Sequence, residues 1–227
     1  MRKSISNYLK TIYEASYAKS GTNNKQIATM LGVLPGSVTE AVNHLEKAGL
    51  VVHQTYHQIA LTKAGYQIVC DLMFRYRLCE VWLTQKIKLP LPSVPKQAWL
   101  MAAINDQELL RRLNQQLAQP AISPFGGQLE LPAFEKRDQR VVQSLDTVGV
   151  NETIIIDSYL ESPSTVKYWQ HTSLQLGEQL TLVESADALP VLTLVDDQDN
   201  EYLINAAVAR YIYAKPVSVQ SLVTTSN

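Results

Sequence analysis

The chain has 227 residues, 46% of them apolar and 18% charged, with 20 Lys and Arg against 21 Asp and Glu for a net charge of −1. That composition is typical of a globular protein. No apolar run approaches the roughly 18 residues of a membrane span. The first residues, MRKSISNYLK, carry two basic side chains next to the start and no apolar core of a secretory signal. Only Cys70 and Cys79 are cysteines. Nine residues of helix separate them by about 13 Å, beyond disulfide reach, and the expected location is the cytoplasm. The charge is uneven: residues 1–90 hold 11 Lys and Arg against 5 Asp and Glu, a net of +6, and the remainder is net −7. His44, His53 and His57 also lie early. A basic N-terminal part suits a polyanionic partner.

Ile5, Leu9, Ile12 and Tyr13 recur at helical spacing, and SGTNN interrupts them. NNKQIATMLG reads as a short helix capped by Asn23 or Asn24, with Ile27, Met30 and Leu31 inward and Gly32 past its end. VLPG turns the chain. SVTEAVNHLEKAGL then predicts a third helix with Val38, Ala41, Val42 and Leu45 inward, and with capping-box spacing between Ser37 and Glu40. VVHQTY and QIALT, joined at His57, read as a hairpin. Thr62 caps a long helix over 63–85 that buries Tyr66, Val69, Leu72, Tyr76 and Leu83. After Pro90, Pro92 and Pro95, a helix is expected over 96–118, followed by a Pro- and Gly-rich linker or docking arm over 119–140. From about 144 the runs TIIIDSYL, EQLTLVES, PVLTLVDD and EYLINAAVARYIYA predict short strands of a small barrel, and 219–227 reads as a frayed tail.

Helix, helix, turn, helix and hairpin is the order of a winged helix-turn-helix, whose third helix fits the B-DNA major groove. The exposed start of that helix supplies base-reading candidates: Glu40 accepts from cytosine N4, Asn43 pairs with adenine, and Thr39 meets a thymine methyl. Pro35, Gly36 and Ser37 complete the set, and Arg2, Lys3, Lys25, His53 and His57 are phosphate candidates. Val81, Trp82, Leu109, Leu110 and Leu113 exceed what such a motif buries and point to self-association. The sequence shows no nucleophile elbow, phosphate loop or zinc-ligand spacing, which argues against an enzyme.

The stretch from SNYLKTIYEAS through NNKQIATMLGVLPGSVTEAVNHLEKAGLVVHQTYHQIALTKAGYQIV resembles the diphtheria toxin repressor family of metal-dependent regulators. The similarity continues through FRYRLCEVWL, LNQQLAQP and SPFGG, and SLQLGEQLTLVES resembles the C-terminal domain of the family's three-domain members. The resemblance implies an α+β protein: a winged helix-turn-helix over 1–62, a helical dimerisation domain with its arm over 63–140, and an SH3-like β-barrel over 141–227. It implies a homodimer on a palindromic operator, with Mn²⁺ or Fe²⁺ as corepressor. The positions matching the family's metal site read Asn7, Lys10, Tyr76, Trp99, Ala102 and Ala103. A second site retains Glu80, with Ser123 and Phe125 in place of its other ligands. These side chains are not a set for Mn²⁺ or Fe²⁺. The expectation is therefore a dimeric repressor that binds DNA without metal, its spacing held by packing and a Lys10–Tyr76 hydrogen bond, with Glu80 in a surface or interhelix ion pair. The alternatives are a Mn²⁺- or Fe²⁺-responsive repressor of metal-uptake genes using other ligands, and a winged-helix module that binds proteins.

Overall fold

A computed structural model describes residues 3–19, 21–54, 58–139, 141–186 and 190–217. The chain forms two compact units. The first comprises Met1–Ile87, Lys96–Ser123 and Gln128–Gln139, and the second comprises Lys88–Pro95, Pro124–Gly127 and Arg140–Asn227.

The first unit opens with α1 (Lys3–Ala15), α2 (Asn24–Leu31) and α3 (Pro35–Lys47), followed by the antiparallel hairpin of β1 (Val51–Gln54) and β2 (Gln58–Leu61). Leu9, Ile12, Ile27, Val38, Val42, Leu45, Val51 and Ile59 are all buried, so three helices and the hairpin share one core. The Asn23 side chain accepts from the Gln26 amide at 2.9 Å and caps α2, and Gly32 ends it at φ +64°. The third helix starts earlier than the capping-box spacing suggests. Leu34 is its N-cap without a side-chain bond, and Pro35 stands in the first turn, where a missing N–H costs nothing. Ser37 therefore lies inside the helix. His57, expected at the hairpin tip, lies outside the described residues.

Next comes α4 (Lys63–Gln85), capped by Thr62, whose hydroxyl accepts from the Gly65 amide at 3.1 Å and donates to the Gly49 carbonyl at 2.7 Å. Tyr66, Val69, Leu72, Tyr76 and Leu83 are buried as expected, and from Tyr76 to Val81 every residue is buried. A helix buried all round is a central core element. The single helix expected over 96–118 is instead two, α5 (Val94–Met101) and α6 (Gln107–Gln116). The break falls at Asp106, whose carboxylate accepts from the Leu109 amide at 2.8 Å and starts a new helix. Leu78, Val81, Leu110, Leu117 and Leu129 form one cluster, with Phe74, Trp82, Ile104 and Leu113 against it. Within this unit, the arm docks onto α4. The Arg77 guanidinium donates to the Gln128 carbonyl at 2.5 Å, and the Tyr66 hydroxyl donates to the Pro132 carbonyl at 3.0 Å. Of the two readings of 119–140, docking is the one observed.

The second unit is an antiparallel six-stranded sheet in the order β3-β8-β4-β5-β6-β7, formed by β3 (Gln143–Ser144), β4 (Thr153–Tyr159), β5 (Gln179–Ala186), β6 (Val191–Val195), β7 (Glu201–Asn205) and β8 (Ile212–Pro216). Ile154, Ile156, Leu180, Leu182, Leu192, Leu194, Tyr202 and Ile204 fill its core at alternate positions. The run EYLINAAVARYIYA is not one strand. Asn205 caps a one-turn helix, α8 (Ala206–Ala209), between β7 and β8. The helix α7 (Pro163–Gln170), capped by Ser162, has no counterpart among the sequence expectations. Gly126 sits at φ +84°, and a Cβ there would lie 2.3 Å from the Asp157 carbonyl, so this tight approach to β4 requires glycine. The tail over 219–227 lies outside the described residues.

A Cβ at Gly65 would lie 2.0 Å from the Leu50 carbonyl oxygen, a backbone atom with nowhere to move. Gly65→Ala should lower the stability of the first unit by about 2 kcal/mol or more, read as a fall in its denaturant midpoint. An unchanged midpoint would contradict the close approach of Gly65 to the Leu50 carbonyl.

Candidate nucleic-acid interface and metal position

The amphipathic pattern of α3 divides it. Val38, Val42 and Leu45 are buried, and Pro35, Gly36, Ser37, Thr39, Glu40 and Asn43 are exposed in one stretch at its N-terminal half. Lys25, on α2, is exposed as well. The structure thus brings the base-reading candidates together on one solvent-facing surface, which is the geometry groove readout requires. The Thr39 hydroxyl is already engaged: it donates to the Pro35 carbonyl at 3.1 Å and accepts from the Asn24 amide at 3.0 Å, tying α2 to α3. Its methyl group is what remains for a base. Glu40 stands 3.9 Å from His44, both largely exposed. Leu34, 76% exposed at the start of α3, is a surface residue the sequence reading did not include.

The phosphate candidates divide. His53 on β1 is matched by Glu46: its Nδ1 lies 2.9 Å from the Glu46 carboxylate, which also accepts from the His53 amide at 3.2 Å. Those two bonds hold the Glu46 carboxyl below its ordinary pKa, so a carboxylate stands directly beside His53. Arg2 and His57 lie outside the described residues, and Lys3 begins α1. The helix itself carries no Lys or Arg before Lys47. Each missing phosphate contact weakens binding and flattens its salt dependence.

At the positions corresponding to the family's metal site, the side chains gather around Lys10. Its ammonium pairs with Glu14, one turn on in α1, and both side chains are nearly buried. It lies 4.7 Å from the ring centroid of Tyr76 on α4 and 5.7 Å from that of Trp99 on α5. The two rings meet edge to face at 5.8 Å. Lys10 and Tyr76 thus meet in a cation–π contact, and Glu14 is a partner of Lys10 that the sequence reading did not include. A Lys–Glu pair at i, i+4 is the signal that was available for it. Asn7 is exposed. Trp99, Ala102 and Ala103 do not form one packing face, because α5 ends at Met101, with Ala102 buried and Ala103 exposed. A divalent ion here would meet a positive charge and one carboxylate already paired with it, so these residues do not fit Mn²⁺ or Fe²⁺.

At the second site, Glu80 is fully buried, since it falls on the α4 stretch that packs on every side, and the surface half of its expected role is corrected. Ser123 is buried, and Phe125 is buried with its ring 5.5 Å from Tyr159. Burial, with Glu80's charge adding to it, raises the Cys79 thiol to about 11, which makes it a packing residue rather than a thiolate ligand. No group of three or more His, Cys, Asp or Glu that could hold a metal ion occurs among the described residues. No helix among them is long and apolar enough to cross a membrane.

This geometry agrees with comparisons to known proteins. Residues 1–59 match the family described as iron dependent repressor, N-terminal DNA binding domain, and residues 62–129 match iron dependent repressor, metal binding and dimerisation domain. The diphtheria toxin repressor of Corynebacterium diphtheriae is 29% identical over 163 residues, 72% of this chain and 70% of that protein. The iron-dependent repressor IdeR of Mycobacterium tuberculosis is 29% identical over 119 residues, and the match spans about half of either chain, 52% of each. The solved structure of the manganese regulator SloR superposes with a TM-score of 0.76 at 26% identity, covering 94% of this chain and 98% of that one.

The fold and surface define a DNA-binding transcription regulator, not an enzyme. The chain belongs to the diphtheria toxin repressor family of metal-dependent DNA-binding repressors. It carries that family's DNA-binding and dimerisation domains. The expectation of metal-free DNA binding is corrected by the family's description, which makes metal binding a property of the domain over 62–129.

Glu40 on α3 and Lys25 on α2 are both exposed. Glu40→Ala should change preference at one operator base by about 1–3 kcal/mol, and Lys25→Ala should weaken all sequences alike. Selection from a random DNA library checks both. An identical consensus for wild type and Glu40→Ala would remove Glu40 from the readout.

Proposed function

We propose that the chain represses transcription as a homodimer on a palindromic operator. The start of α3, namely Pro35, Gly36, Ser37, Thr39, Glu40 and Asn43, reads base edges, and Lys25 and His57 contact phosphates. The observation that carries this reading is the continuous exposed polar stretch on α3, backed by buried Val38, Val42 and Leu45. A two-fold operator suits a dimer whose reading helices are spaced by one turn of DNA. In this reading 1–62 binds DNA, 63–140 pairs with a second copy, and 141–227 is the β domain. The protein works in the cytoplasm, where its DNA is, and Mn²⁺ or Fe²⁺ is the effector class its relatives' names indicate.

Self-association is supported by apolar side chains left outside the core. Val81 and Leu110, expected at the interface, are instead buried within the first unit, and Trp82 and Leu113 pack partly against that core. Leu100 on α5 and Leu109 on α6 are each 50% exposed and are open to a second copy. Changing both to Glu should weaken dimerisation at least about tenfold, read by sedimentation. Dimers of undiminished affinity would move the interface elsewhere.

The reading as a whole is tested by gel shift with a selected operator, with Mn²⁺ and with chelator. A dimer bound in Mn²⁺ and released by chelator is expected. Binding indifferent to both would overturn the metal response, and no binding to any DNA would favour a protein partner.

A further inference from the structure

We propose that the Lys10 ammonium is the resident cation of the junction between α1, α4 and α5, and that it positions the reading helices for the operator in a place where no divalent ion binds. The inference rests on the proposed repressor function and goes beyond it by assigning a role to a residue. The supporting geometry lies within one compact unit. Lys10 and Glu14 belong to α1, Tyr76 to α4 and Trp99 to α5. The Lys10 and Glu14 side chains retain only 14% and 8% of their exposure.

An ammonium withdrawn from water must be repaid by nearby charge and by ring faces. Glu14 supplies the charge from the same helix as Lys10. The two rings bring contacts to that ammonium from α4 and α5. A cation within about 6 Å of an aromatic centroid is attracted to it, more strongly when desolvated, and Lys10 meets that distance for Tyr76 at 4.7 Å and Trp99 at 5.7 Å. Glu14 fixes where the ammonium stands, and the rings on α4 and α5 read its position. An apolar side chain at residue 10 would pack at several rotations of α1. A charge with one carboxylate and two ring faces accepts far fewer, which is the means by which a buried ion specifies register.

The same geometry explains why the cluster refuses a divalent ion. Tyr76 and Trp99 both lie in the stretch whose family is described as metal binding. Here that stretch presents ring faces, and the positive charge between α1 and those rings is covalently part of the chain. A metal response of this protein runs through residues outside this cluster. Lys10 is a positioning residue: it sits on α1, apart from the exposed stretch of α3.

The test compares full-length wild type, Lys10→Arg, Lys10→Met and Glu14→Gln by hydrogen exchange without DNA and by operator binding in saturating Mn²⁺. Lys10→Met and Glu14→Gln should speed exchange in α1 and weaken the operator complex about tenfold, with Lys10→Arg within about threefold of wild type. Rescue by arginine is what a purely space-filling role would not produce. Should Lys10→Met not fold, Glu14→Gln carries the same comparison. Wild-type exchange and affinity in the Met and Gln variants would overturn the proposal, as would an anomalous manganese peak against Tyr76 in crystals soaked in manganese chloride. A wild type that binds no operator would sink the repressor reading, and exchange would still decide whether Lys10 holds α1.

Discussion

The burial of α4 on every side through its middle is the constraint on which the first unit depends. From Tyr76 to Val81 no residue of this helix reaches solvent, so each neighbour must be shaped to it. On one side it receives Lys10 of α1 through Tyr76. On another it receives Leu110, Leu117 and Leu129 through Leu78 and Val81. Arg77 reaches the arm and donates to the Gln128 carbonyl. The helix thus joins α1, in the matched DNA-binding domain, to α6 and the arm. A close-packed core transmits small displacements rather than absorbing them.

The proposed reading surface on α3 carries little positive charge. The inner row of α3 is apolar and its outer row is short and polar, with glutamates at positions 40 and 46 and the first cation at Lys47. Attraction to phosphate, which supplies most non-specific affinity, is correspondingly left to residues off the helix. Pairing two copies compensates for a weak single contact, because the second head binds at high effective concentration. The apolar Leu100 and Leu109 remain exposed on the elements that the family's description assigns to dimerisation.

At the Lys10 cluster an ammonium on α1 meets the aromatic faces of Tyr76 on α4 and Trp99 on α5. Glu14, one turn further on, keeps that charge balanced in a nearly water-free position. Glu80, in contrast, stays an acid and is fully buried, and Phe125 takes a ring contact with Tyr159 inside the second unit.

Local signals in the sequence determined most of the elements and the class of protein. Thr62 and Asn23 capped the helices they were expected to cap, because a side-chain oxygen two or three residues before an amide needs no distant partner. The apolar spacing of α3 likewise placed Val38, Val42 and Leu45 inward and left the reading residues outside. Only the tertiary structure decided the rest. The division into α5 and α6 depended on whether Asp106 would cap a new helix or ride within a continuing one, and packing of Leu110 and Leu117 on α4 settled it. The burial of Val81 and Leu110 was invisible because apolar residues look alike whether they face their own core or another copy. The pairing of Lys10 with Glu14 was legible as a spacing. Its meeting with Tyr76 and Trp99 was not, because a contact between residues separated by more than sixty positions exists only once three helices have packed together.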